Sequence, residues 1–189
     1  MTEQLDAVQA GLRVARALEE AGISYALGGA LAYGQHGVPR ATIDVDVNVF
    51  AGPELLGDVL TALRPLGIEC DEAVARRQTE EQGMLQLDFA GMRLDVFVPS
   101  IEFSQDAERT RVRQAVDGQE AWFLSAEALC VFKLLFFRGK DIVDLERLIA
   151  TQGDALDADY VRTKMVEMMG DEDERVETWD RLVREHRPA

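Results

Sequence analysis

The run Arg40-Ala41-Thr42-Ile43-Asp44-Val45-Asp46-Val47-Asn48-Val49-Phe50, which follows Gly28-Gly29-Ala30-Leu31-Ala32-Tyr33 after a short gap, decides the fold of this chain. Its alternation of apolar and polar residues has the period of a β-strand, in which successive side chains point to opposite faces. Val45, Val47 and Val49 therefore share one face, and Asp44, Asp46 and Asn48 share the other. Two carboxylates side by side repel. The usual compensation is a divalent cation bridging oxygen ligands, as magnesium does when one or two carboxylates and substrate phosphates hold it. The same pattern also suits the wet side of a half-buried strand. A calcium-binding EF-hand loop does not fit, because it needs glycine at its sixth position and glutamate at its twelfth, where Val49 and Leu55 stand.

A third carboxylate strengthens the metal reading. Met84-Leu85-Gln86-Leu87-Asp88-Phe89 and Met92-Arg93-Leu94-Asp95-Val96-Phe97-Val98 read as two strands joined by a tight turn at Ala90-Gly91. Leu94, Val96 and Val98 form one face of the second strand, and Asp95 lies on the other. If the strands are neighbours, Asp95 meets Asp44 and Asp46.

Further along, Lys133 interrupts the apolar stretch Leu129-Cys130-Val131-Phe132-Lys133-Leu134-Leu135-Phe136-Phe137. An ammonium in such surroundings is costly unless it is paired or reaches water or a phosphate, although a lysine that snorkels from a core helix also accounts for it. On an uninterrupted helix Lys133, Lys140 and Asp144 share one stripe while Asp141 is rotated away, so a break at Gly139 is expected to bring Asp141 round. Asp141 and Asp144 serve either the site or the bracing of the second helix.

Together these residues resemble a family. Gly-Gly, a helix, Asp-x-Asp and a later single Asp is the signature of the nucleotidyltransferase fold of polymerase-beta-like enzymes. The segment Ser125 to Leu145, with Lys133, Arg138-Gly139-Lys140-Asp141 and Asp144-Leu145, is similar to the Lys…Arg-x-Lys-Asp-x-x-Asp-Leu segment of AbiEii/AbiGii-type nucleotidyltransferases. That group includes abortive-infection and toxin–antitoxin toxins such as the MenT-like enzymes. The resemblance spans about residues 23 to 149.

The resemblance implies an α/β (α+β) nucleotidyltransferase fold and transfer of a nucleoside monophosphate from an NTP such as ATP to an acceptor hydroxyl. It implies two Mg2+ ions shared by Asp44 and Asp46, with Asp95 holding the ion nearest the attacking hydroxyl or acting as its base. Gly28 and Gly29 would let backbone N–H groups approach the phosphates, since they lack obstructing side chains at a helix start. Lys133 would neutralise the triphosphate, and Arg40, Thr42 and Asp141 would complete the nucleotide site. Ala30 stands where many relatives carry Ser or Thr, which removes one phosphate contact. The implied acceptor is an RNA 3′ end such as that of tRNA, or a protein hydroxyl, and a cognate antitoxin is an expected partner. A small-molecule acceptor of the aminoglycoside type and a catalytically silent relative that binds nucleotide or a partner are the alternatives.

The remaining sequence is consistent with these expectations. The periodicities predict helix 3–21, strand 24–27, helix 29–36, strand 43–50, helix 53–64, strand 68–73, strands 84–89 and 92–98, and a short helix near 102–108. Strands 112–117 and 120–124 follow, then helices 126–137, 140–151, 157–169 and 172–186. This gives a mixed β-sheet flanked by helices, divided into a core of residues 1–124 and a C-terminal helical part, 125–189, packed on it. Only Cys70 and Cys130 are present, with no secretory signal, which suits free thiols in a reducing cytoplasm. No apolar run approaches the ~20 residues that cross a membrane. His36 and His186 without a cysteine cluster make zinc improbable. The net charge of −15 argues against an easy fit to a nucleic-acid backbone and suits a cationic acceptor or simple solubility. Arg109, Arg111 and Arg113 with Arg76, Arg77 and Arg93 form either a local basic patch on one sheet edge or plain solvent faces.

Overall fold

The computed structural model describes residues 5–37 and 39–187. In chain order its first elements are α1 (Ala7–Glu20), β1 (Tyr25–Leu27), α2 (Gly29–Gln35), β2 (Asp44–Val49), α3 (Leu56–Leu63), α4 (Glu72–Gln82), β3 (Met84–Phe89) and β4 (Met92–Phe97). They are followed by α5 (Phe103–Thr110), β5 (Val112–Val116), β6 (Gln119–Phe123), α6 (Ala126–Phe136), α7 (Gly139–Gln152), α8 (Ala158–Met169) and α9 (Glu174–His186). The six strands form one mixed sheet in the order β3-β4-β2-β1-β6-β5.

β2 lies near the centre, antiparallel to β1 and parallel to β4. Its valines are buried and its aspartates are partly exposed, as the alternation requires. β1 is buried on both faces. The β3–β4 hairpin turns at Ala90 and Gly91, both with positive φ (54° and 83°), the two-residue turn whose twist matches that of the flanking strands. It fixes a register that sets Gln86 opposite Asp95.

α1 packs on β1, β2 and α3, and α2 packs on β2 and α6. One contiguous hydrophobic cluster includes buried residues from α1 through α9, among them Leu18, Val47, Leu94, Leu134, Leu145 and Trp179. α6 and α7 thus join the apolar core of the sheet. No helix among the described residues is long and apolar enough to cross a membrane.

The expected helix 3–21 is found as Ala7–Glu20, and residues 3 and 4 lie outside the described residues. The expected strand 68–73 is corrected: residues 68–71 are irregular and α4 begins at Glu72. The Asp71 side chain accepts from the N–H groups of Ala73 (2.9 Å) and Val74 (3.1 Å), a standard helix N-cap. Only Ala75 of α4 is buried, so the helix carries no apolar stripe to announce itself.

Candidate functional site

The register of the central strands brings the three aspartates together. Asp46 on β2 lies directly across from Asp95 on β4, and Asp44 lies across from Arg93. Arg93 and Asp95 are two residues apart and so share a face. The Arg93 guanidinium bridges two of the acids, with Nη2 2.8 Å from Asp44 Oδ2 and Nε 3.3 Å from Asp95 Oδ2. Asp95 is only 5% exposed, and Gln86 Nε2 donates to its Oδ1 at 3.2 Å. Asp46 takes part in neither bridge. Its carboxyl pKa is raised, first by burial and then by the neighbouring Asp95 and Asp44. Among the described residues no three Asp, Glu, His or Cys side chains stand in a metal-enclosing group; the counter-charge between Asp44 and Asp95 is Arg93.

The glycine pair is fitted to Asp46. Gly28 N–H donates to the Asp46 carbonyl at 2.9 Å. Gly29 has φ +47°, and a Cβ there would fall 1.7 Å from Asp46 Oδ2. The Asp46 carboxylate therefore rests on the bare Cα of Gly29, which faces the cleft, whereas the Gly28 N–H is already engaged. At the strand entry, Thr42 Oγ1 accepts from Asp44 N–H at 3.2 Å and holds the turn into β2.

The helical half adds a buried ion network. α6 ends where Phe137 adopts a left-handed conformation (φ 52°), and Arg138 is extended before α7 begins at Gly139. The break expected at Gly139 thus falls at Phe137–Arg138, and it does bring Asp141 round. Lys133, 6% exposed, lies 2.5 Å from Asp144 Oδ2 and 3.7 Å from Asp141 Oδ1. Its ammonium also faces the Tyr33 ring at 5.4 Å. Asp141, 2% exposed, accepts from Arg138 Nε (2.6 Å) and from Arg138 N–H (3.2 Å). Arg40 Nη2 approaches Asp144 Oδ2 at 3.6 Å. Asp141 and Asp144 brace Lys133, the bracing role being one of the two the sequence left open.

These groups line one cleft of about 420 Å³. Gly29, Arg40, Thr42, Asp44, Asp46, Asp95, Lys133 and Asp141 all line it, while Gly28 and Asp144 do not. Asn48, Arg93, Arg138 and Lys140 line it as well. Sequence reasoning missed Arg93 as a site residue; the usable signal was its place two positions before Asp95 on the same strand face. Of the two readings of the arginines, a patch on one sheet edge is not what the sheet order gives. Arg93 lies on β4, Arg113 lies on the far edge strand β5, and Arg113 is spent on Glu19 (2.8 Å) and Glu120 (3.1 Å). Arg111 lies over the Trp122 ring at 4.6 Å and donates to Ser24 Oγ at 2.6 Å.

No protein-family model and no curated protein matches the chain. Solved structures do. An antigenic nucleotidyltransferase-like protein from Paracoccidioides brasiliensis is similar with TM-score 0.50 and 17% identity, over 92% of this chain and 93% of that one. The antibiotic-resistance factor ANT(2″)-Ia, in a crystal structure with adenylyl-2″-tobramycin, gives TM-score 0.56 and 15% identity over 89% of this chain and 94% of that one. A nucleotidyltransferase structure from Thermotoga maritima gives 0.51 and 13% over 74% and 90%. At these identities the likeness establishes the nucleotidyltransferase fold.

Proposed function

We propose that this chain is a magnesium-dependent nucleotidyltransferase that moves a nucleoside monophosphate from an NTP to an acceptor hydroxyl. The observation that carries this reading is the meeting, in one cleft, of Asp44, Asp46 and Asp95 with Arg40, Lys133, Arg138 and Lys140. In a chain of net charge −15, cations gathered at a carboxylate cluster supply a local field for a polyanion.

The carboxylate oxygens are of the type that magnesium takes, a hard cation that usually shares its oxygen ligands with phosphates, and Arg93 would have to release Asp44 or Asp95 for an ion to enter. Asp44 and Asp46 would hold the ions and Asp95 the one nearest the acceptor; burial first, and then Asp95 and Asp44, raise the pKa of Asp46, and a bound cation would offset the repulsion among the three. When bound, magnesium would stabilise the attacking and leaving oxygens of an in-line displacement.

The side chains of the chain do the rest. Arg40, Arg138 and Lys140 are exposed to the cleft and would take the triphosphate, with Lys133 behind them fixed by Asp144 and Asp141. The acceptor oxygen bonds to the α phosphorus, the bond to the β-phosphate oxygen breaks, and pyrophosphate leaves. As the alternative to holding an ion, Asp95 would receive the acceptor proton. Gln86 and Arg93 hold Asp95 in place for that task.

For the acceptor, the dispersal of the arginines across the sheet favours a protein hydroxyl over the extended backbone of an RNA such as tRNA. A toxin role of the AbiEii type, with a cognate antitoxin, belongs to this reading. The second reading is an aminoglycoside-type acceptor, favoured by the fold's likeness to ANT(2″)-Ia. The test is to incubate α-phosphate-labelled NTPs and Mg2+ with total RNA, protein and aminoglycoside fractions. Label confined to one fraction, and absent with Asp44→Ala/Asp46→Ala, is the expected result; no label with any NTP would overturn it.

A further inference from the structure

Beyond the carboxylates the cleft changes character. On β2 and β4 the pair after Asp46 and Asp95 is Asn48 and Phe97, with Met84 opposite Phe97 on β3. Residues two apart lie on one face about 6.5–7 Å along the strand, so the Phe97 ring follows Asp95 directly. Phe136 comes in from α6 with its ring centroid 5.9 Å from that of Phe97, tilted by 60°. Phe136 is 47% exposed and Ile101 38%, although both line the cleft. An apolar surface left open inside a cleft is where a ligand ring is best accommodated.

Charge narrows the class further. Four aspartates line the cleft, and Asp44, Asp95 and Asp141 are already paired with Arg93 or Arg138. Among the described residues no glutamate lines it. With Asp46 given to magnesium and Arg138 and Lys140 to the triphosphate, a polyammonium acceptor would find no unpaired carboxylate among the described lining residues and would face Arg93.

We propose that the Phe97–Phe136–Ile101 wall is the acceptor subsite, and that the acceptor carries an aromatic ring next to its hydroxyl and no cationic group. The proposal rests on the nucleotidyltransferase reading, in which Asp95 is the residue nearest the acceptor. The ring lies against Phe136 and Ile101, and its hydroxyl is directed along β4 towards Asp95.

The test is ligand-observed NMR with N-acetyltyrosinamide, a neutral phenol, and tobramycin, a polycation, each added to the protein with Mg2+ and a non-hydrolysable NTP. Saturation transfer to the phenol ring is expected, with none to tobramycin. Phe136→Ala should weaken phenol binding about tenfold, a change of ~1.4 kcal/mol, and Phe136→Leu should weaken it less. Because Phe136 is half-exposed, its truncation leaves the core intact. Binding of tobramycin, or of neither probe, overturns the proposal. So does a Phe136→Ala effect on nucleotide affinity in place of phenol affinity, which would seat the nucleobase on this wall. Failure of the nucleotide itself to bind is the separate result that would remove the underlying reading.

Discussion

Replacing Gly29 with alanine tests how the site is built. The backbone there has φ +47°, which costs an L-residue roughly 1–2 kcal/mol. The added methyl would lie 1.7 Å from Asp46 Oδ2, 2.5 Å from Cγ and 2.9 Å from Cβ, so the carboxylate must move. Overpacking of this kind costs roughly 1–3 kcal/mol, and the expected total is about 2–5 kcal/mol. In an Asp46→Ala background the two shortest contacts vanish and the 2.9 Å contact remains. Gly29→Ala should then cost little more than its backbone strain, leaving a coupling of roughly 1–3 kcal/mol between the two positions. Urea denaturation of the four proteins of this double-mutant cycle measures it. Equal costs of Gly29→Ala in both backgrounds, within about 0.5 kcal/mol, would refute the claim that the glycine exists to seat the aspartate.

Three further expectations follow from the same geometry. The raised pKa of Asp46 means that the folded state holds this proton more tightly than the unfolded state, so the site penalises stability at neutral pH and the penalty lifts as pH falls. Asp46→Asn should therefore gain stability at neutral pH, with the gain fading towards the ordinary aspartate range near pH ~4; thermal melts across this range decide it. Lys133→Met strips the partner from Asp144 and from one side of Asp141, and removal of one member of a buried pair costs roughly 3–5 kcal/mol. Arg40 and Arg138 hold the loss to the lower end, and Lys133→Met/Asp144→Leu should recover more than half of it in chemical denaturation. The Cys130 thiol is fully buried and its pKa is pushed well up by that burial, so a thiol reagent such as DTNB should reach it only at the rate of unfolding. Fast reaction of Cys130 in the native protein would contradict the packing of α6.

What could be read from the sequence was what repeats with a period or sits beside its partner in the chain. The alternation through Val45, Val47 and Val49 fixed β2 and the common face of Asp44 and Asp46, and the Ala90-Gly91 turn fixed the hairpin that carries Asp95. α4 escaped because its residues, Glu72 to Gln82, bury only Ala75, so its helical nature rests on the Asp71 cap and on propensity. The role of Arg93 depends on which strand lies next to β4, a register that periodicity does not give. The helix break expected at Gly139 falls instead at Phe137, which adopts the left-handed conformation that glycine tolerates most easily, with Arg175 over its ring at 5.6 Å. The arginine patch failed for the same reason as Arg93: sheet order separates β4 from β5.

The account stands most directly on which phosphate moves. Parallel reactions with NTP labelled at the α or at the γ phosphate, in the presence of Mg2+ and the acceptor fraction, separate nucleotidyl transfer from other phosphoryl chemistry. Nucleotidyl transfer at this site leaves α label on the acceptor and releases γ label with pyrophosphate in equal amount, and both signals vanish with Asp44→Ala/Asp46→Ala. Transfer of the γ label, or α transfer that survives the double substitution, would contradict it.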